Sequence, residues 1–134
     1  MIELHHIGIA TDNAQQEAQM WSEIYPNPVL SALIHDPVQR VNLIFLSSET
    51  GRQVSLEFVE PANKDSPVNN LIKKGGGFYH LCYEVNDLEA ALVAVKKNGA
   101  LILQNPVNAA AFDGRRIAWF YTRNRRLIEY LERE

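Results

Sequence analysis

Apolar and polar positions along this chain alternate between a strand period and a helix period, and the same order of periods occurs twice. Residues 3–10, "ELHHIGIA", are rich in Ile, Leu and His and predict a strand ending at "TDN", where Thr11, Asp12 or Asn13 can cap a helix. From Ala14 to Tyr25, the residues Ala14, Ala18, Trp21, Ile24 and Tyr25 recur at helical spacing until Pro26 and Pro28 stop the run. "VLSALI" and "VQRVNLIFLS" then predict two strands broken at "HDP". "QVSLEFVEP" predicts another, entered through a turn at Gly51 and ended by Pro61. The first half therefore reads strand, helix, strand, strand, strand.

A connector, "ANKDSPVNNLIKKGGG", follows, in which Ser66 is expected to cap a short helix with Pro67 at its first position, closed by Gly75, Gly76 and Gly77. The second half then repeats the order of the first. The strand "FYHLCYEV" leads to a helix capped at Asn86 or Asp87 and running through "LEAALVAVKKNG". "ALILQ", a long "NPVNAAAFDG" segment, "RRIAWFYT" and "RLIEYLE" complete it. The recurrence points to an internal duplication. It divides one domain, residues 1–134, into a module at about 1–61, a connector at 62–77 and a module at about 78–134.

Strand parity gives the duplication chemical content. Successive side chains of a strand point to opposite faces. Ile7 and Ile9 therefore share one face, and His6, Gly8 and Ala10 the other. In the matching strand Leu81, Tyr83 and Val85 take the bulky face and His80, Cys82 and Glu84 its opposite. The bulky faces should pack under the helices, which makes His6, rather than His5, the counterpart of His80. The last strand of each module repeats a second oddity. Glu57 sits mid-strand among apolar residues in "VSLEFVE", and Glu129 does so in "RLIEYLE". A carboxylate placed there costs several kcal/mol unless it is paired or bound to a cation. Two imidazoles and two carboxylates at matched positions form a mixed nitrogen and oxygen donor set suited to Mn, Fe, Co, Ni or Zn.

Composition narrows the remaining choices. At 134 residues and 46% hydrophobic the chain has material for one sizeable core. Its net charge of -3 and pI near 5.8 give no broad basic field, which argues against nucleic acid as a partner. No apolar run is long enough to predict a membrane span, and "MIELHHIGIA" lacks the features of a secretion signal. Cys82, the only cysteine, excludes an internal disulfide framework. A soluble cytoplasmic protein is expected.

These residues carry a family resemblance. "HHIGIA", "SLEFVEP", "DSPVNNLIKKGGGFYHLCYEV" and the closing "LIEYLE" resemble the vicinal oxygen chelate superfamily, and within it the glyoxalase and methylmalonyl-CoA epimerase-like members. The resemblance implies an α+β fold of two tandem βαβββ modules forming a cupped mixed sheet around a divalent metal ion. It implies metal ligands at His6, Glu57, His80 and Glu129, with Glu129 or Glu57 as catalytic base. The implied activity is a metal-dependent isomerase or lyase that removes a proton next to a carbonyl or thioester and stabilises the enolate. The substrate would be a small molecule, with a coenzyme A thioester as one candidate, and the protein would pair as a homodimer. A non-catalytic, ligand-sequestering protein of the resistance type and a glutathione-dependent lactoylglutathione lyase are the alternatives. On the third strand, where some epimerases carry an additional acidic residue, this chain has Asn42 and Leu43.

Other charged groups are weaker candidates. Arg115 or Arg116 is placed to hold a carboxylate or phosphate, and by parity at most one of them reaches the site face. Lys73 and Lys74 stand at a helix C-terminus, where they favour the helix dipole. Arg123 to Arg126, "RNRR", reads as an exposed hairpin turn.

Overall fold

The computed structural model describes residues 2–51 and 53–134. In chain order the elements are β1 (Glu3–Ala10), α1 (Ala14–Ser22), β2 (Pro28–Leu30), β3 (Ile34–Asp36), β4 (Val41–Ser48), β5 (Ser55–Pro61), α2 (Asn69–Lys73), β6 (Gly77–Val85), α3 (Leu88–Lys97), β7 (Leu101–Asn108), β8 (Arg116–Tyr121) and β9 (Leu127–Glu132). A 3-10 turn, Ala110–Phe112, lies between β7 and β8. The chain forms two compact units, His6–Tyr79 and the N-terminal residues through His5 together with His80–Glu134. No helix among the described residues is long and apolar enough to cross a membrane.

The two units share one plan. In the first, the strands lie in the order β2, β4, β5, β1, with β3 also paired to β4; in the second the order is β7, β8, β9, β6. β1 runs parallel to β5 and β6 parallel to β9, and the other neighbours are antiparallel. The architecture is α+β, a mixed sheet built from βαβββ modules.

Each sheet buries the face that parity predicts. Ile44, Leu46, Leu56 and Phe58 form a core with Ala14 and Ala18 of α1, and Ile7 and Ile9 pack against it. In the second unit Val85, Ala118, Phe120 and Tyr130 meet Leu88 and Leu92 of α3, with Tyr83 and Ile128 alongside. Both helices begin on a polar cap. The side chains of Asn13 and Asp87 accept from the backbone amides of Gln16 and Ala90, each at 3.0 Å. Asp87→Ala leaves the Ala90 amide without that acceptor and should lower stability by about 1 kcal/mol, read as an earlier urea midpoint at unchanged slope.

Glu60 and Glu132 add a second repeated device. Each stands three residues after Glu57 or Glu129, and so on the opposite face of its strand. Glu60 accepts from the Ala14 amide at 2.9 Å, and Glu132 accepts from the Leu88 amide at 3.2 Å. A carboxylate thus meets the first turn of each helix, where exposed amides and the helix dipole favour negative charge.

Three local expectations shift. His35 and Asp36 lie inside β3 rather than in a break. The chain reverses at residues 37–40, where Asp36 Oδ1 accepts from the Val38 and Gln39 amides, each at 3.0 Å, and Arg40 takes a φ of 58°. α1 ends at Ser22, three residues before Tyr25, because a turn bonded to the Trp21 carbonyl replaces the last helical turn. In the connector Ser66 accepts from Val68 at 3.4 Å in a turn that precedes α2, so the helix starts at Asn69 and not at Pro67. Gly75, Gly76 and Gly77 do end it, all at positive φ. A side chain on Gly76 would place its Cβ 2.7 Å from the Ala10 carbonyl oxygen.

Candidate metal centre

The register of each sheet fixes which residues share the face opposite the helix. In the first unit Glu57 stands across from Phe45 on β4 and Gly8 on β1, while Val59 stands across from Leu43 and Ala10. His6, two residues before Gly8, projects to the same side. Its ring is fully buried, Glu57 is 6% exposed, and Nε2 of His6 lies 3.6 Å from Oε1 of Glu57. The Phe45 ring meets the imidazole edge-on at 5.4 Å.

The second unit builds the same constellation. Glu129 stands across from Trp119 on β8 and Cys82 on β6. His80 is fully buried, Glu129 is 3% exposed, and their Nε2 and Oε1 atoms are 3.4 Å apart. The Trp119 ring meets the His80 imidazole edge-on at 4.7 Å. Cys82 is buried among Ala109, Ile117, Trp119 and Leu131 and serves as a wall residue.

Each histidine is thus matched with a glutamate and with an aromatic ring from the strand beside that glutamate. The contact of Phe45 and Trp119 with the two histidines was not legible in the sequence. The signal that could have found them is a large ring in the strand preceding each glutamate, Phe45 alone in "IFLS" and Trp119 among three rings in "AWFY". These rings restrict the imidazole planes and keep water from the donor atoms, which strengthens electrostatic interactions there.

The donor chemistry of both pairs fits a cation. At 3.4 and 3.6 Å, the Nε2 and carboxylate oxygen are too far apart for a good hydrogen bond between them. Two donors about 2.0–2.2 Å from a common ion are separated by about 3.0–3.4 Å across octahedral or tetrahedral angles. Neutral imidazole with carboxylate is a borderline-to-hard donor set that suits first-row divalent ions. One pair supplies two donors, half of what such an ion takes from protein in a four-ligand site.

The arginines take opposite faces, as parity predicts, and each holds a carboxylate. Arg115 Nη2 lies 2.7 Å from Glu84 Oε2, on the His80 side of the strand, and its Nε donates to the Glu132 carbonyl. Arg116, on the helix side, grips both oxygens of Glu89 and both oxygens of Glu132. The anions these arginines hold are therefore the chain's own carboxylates. Hydrogen bonds from Arg116 hold the carboxyls of Glu132 and Glu89 below their ordinary value of 4.5, and the two carboxylates raise the Arg116 guanidinium in turn. A depressed carboxyl contributes stability that is present above its unfolded value and lost as pH falls through the folded one. Arg116→Ala should accordingly move the urea midpoint down at pH 7 and shrink that difference as the pH falls well below 4.5. An equal difference at both ends of the pH range would remove the carboxylates from the explanation.

The fold defines a class of protein. This chain belongs to the glyoxalase/bleomycin resistance protein/dioxygenase superfamily, whose model matches residues 5–119. It is 30% identical over 102 residues to the ethylmalonyl-CoA/methylmalonyl-CoA epimerase of Cereibacter sphaeroides, covering 75% of this chain and 73% of that one. It is 25% identical over 127 residues to the mitochondrial methylmalonyl-CoA epimerase of Dictyostelium discoideum, covering 90% of this chain and 71% of the relative. Among solved structures, a hypothetical protein of Bacillus halodurans superposes with a TM-score of 0.84 at 26% identity, covering 99% of this chain and 95% of that one.

Proposed function

We propose that this protein is a metal-dependent isomerase or lyase of the vicinal oxygen chelate type, acting on a methylmalonyl-CoA-like thioester. The observation that carries this reading is the buried His–Glu pair, built twice on equivalent strands. In this reading the chain works as a single glyoxalase-like domain. His6, Glu57, His80 and Glu129 together hold one divalent ion, either Mn, Fe, Co, Ni or Zn. When bound, that ion supplies Lewis acidity that stabilises negative charge on a substrate carbonyl oxygen, an effect worth several kcal/mol of barrier.

The chain's own groups account for the proton. The base is a glutamate, Glu129 or Glu57, because Leu43 occupies the site face of β4 and Asn42 lies on the helix face, paired with His35 at 2.8 Å. Epimerisation removes a proton from one side of the carbon and returns one to the other, and the duplication supplies two carboxylates for these two tasks. Burial keeps bulk water from quenching the carbanion. The similarity to epimerases supports a coenzyme A thioester as substrate.

The test is exchange of the substrate's α-proton with deuterated solvent by metal-loaded protein. Methylmalonyl-CoA should exchange, ahead of a panel of 2-oxo and 2-hydroxy acids and of the glutathione hemithioacetal of methylglyoxal. Binding without exchange on any of them would favour a sequestering protein. We further propose that the chain pairs as a homodimer. Light scattering should then give twice the chain mass, and a monomer at every concentration would remove the dimer without affecting the metal centre.

A further inference from the structure

The second unit neutralises some of its arginines and leaves others unmatched. Arg115, Arg116 and Arg133 contact Glu84, Glu89 and Glu132, and Glu3 respectively. The turn joining β8 to β9 carries Arg123, Arg125 and Arg126, and among the described residues none of the three is in an ion pair with a carboxylate. Arg123 and Arg125 line a cavity of about 430 Å³ together with Gly99, Leu101, Tyr121 and Thr122. The last turn of α3 brings Lys96 and Lys97 to the approach of Gly99.

The Arg123 guanidinium is held in place. It lies over Gly99 so closely that a Cβ there would stand 2.7 Å from its Nε, and its Nη2 donates to the Asn98 carbonyl at 3.2 Å. Arg125 takes a φ of 64° at the tip of the turn. Beside these cations the ring of Tyr121 is 38% exposed and Leu101 62% exposed, a flat apolar flank next to concentrated positive charge. Cations beside an aromatic plane suit a nucleotide, whose phosphates take guanidinium forks and whose base stacks on a ring.

One residue of the cavity wall, Tyr121, belongs to the strand face that carries the site. Trp119 stands across from Glu129, and Tyr121 lies two residues further along β8 on the same face. Trp119 to Tyr121 is about 7 Å at the rise of a strand, and Arg123 stands in the turn just beyond the end of β8. A ligand joining the two places needs a reacting group at one end, phosphates at the other and an extended arm between them.

We propose that Arg123 and Arg125, with Tyr121 and Leu101, bind the phosphorylated adenosine end of a coenzyme A thioester whose acyl group reaches the His80–Glu129 pair. This rests on the reading of the protein as a thioester isomerase, and it names the part of the surface that selects the carrier. The guanidiniums take the phosphates and Tyr121 flanks the base. Lys73 and Lys74, at the end of α2 in the other unit, are the competing basic pair.

Titration calorimetry with free coenzyme A, dephospho-coenzyme A and pantetheine tests the assignment. The R123A/R125A double variant should bind coenzyme A at least tenfold more weakly than wild type, with pantetheine unaffected and the loss for dephospho-coenzyme A smaller. K73A/K74A should bind coenzyme A as wild type does. With methylmalonyl-CoA, the arginine variant should raise KM for proton exchange and keep kcat. Equal coenzyme A affinity in the wild type and the arginine variant, no coenzyme A binding by wild type, or loss of binding in K73A/K74A alone would overturn the subsite. Failure of the isomerase reading looks different. Wild type would then exchange no proton, while the arginine-dependent affinity for coenzyme A would still locate the subsite.

Discussion

Glu129→Gln should lower the rate of α-proton exchange by about 10²- to 10⁴-fold, the range that general-base catalysis contributes, while metal stays bound. The substitution keeps the shape of the side chain and an oxygen donor 3.4 Å or so from the His80 Nε2 position, but an amide does not accept the substrate's proton. Burial at 3% exposure leaves little room for solvent to stand in as base. The same change at Glu57, the equivalent residue of the first unit, gives the comparison. If the two glutamates divide removal and return of the proton, each single variant should lose epimerisation. Only the variant lacking the first base should also lose exchange from the corresponding substrate stereoisomer. Exchange at the wild-type rate in both variants would take the carboxylates out of the proton-transfer step.

His80→Ala should have the largest effect on metal binding. Removing one nitrogen ligand outright should exceed the roughly 10- to 100-fold loss seen when only a supporting partner of a ligand is removed. In wild type, an ion at a hundred times its Kd adds about 2.7 kcal/mol of stability, so Tm should rise with metal and fall with chelator. In His80→Ala that increment should vanish. The variant also leaves a space against Trp119, costing about 1–3 kcal/mol in the metal-free protein. The two effects separate cleanly, because the cavity lowers Tm with or without metal, whereas ligand loss removes only the difference between the two. A Tm that responds to Mn, Co, Ni and Zn in the variant as in wild type would exclude His80 as a ligand.

The sequence made some of this legible, and physical reasons explain which parts. His6, His80, Glu57 and Glu129 could be singled out because a strand's period of two assigns faces without knowledge of the fold, and because duplication supplied each position with an internal check. The helices under Ile7, Ile9, Tyr83 and Val85 followed from the same rule. Glu60 and Glu132 repeat the spacing from the site glutamates just as regularly, yet their role depends on which helix N-terminus the sheet brings beside them. Local pattern does not contain that placement. The contacts of Phe45 and Trp119 with the histidines were hidden because they depend on cross-strand register, which is set between strands. Arg115 and Arg116 were assigned to the correct opposite faces, but their partners come from β6, α3 and β9. Parity reports a direction and is silent about what waits there. At "HDP" the proline suggested a break two residues too early, since Asp36 could still pair with Val41 before turning the chain.

Whether the two His–Glu pairs serve one ion is the question on which the account depends, and metal stoichiometry answers it directly. Purified protein loaded with Co or Zn, passed through gel filtration and analysed for metal, should carry one ion per chain. His6→Ala and His80→Ala should each carry none, because each removes a ligand from the same centre. Two ions per chain in wild type, one ion retained in either single variant, or no ion in wild type under any loading condition would contradict a shared centre.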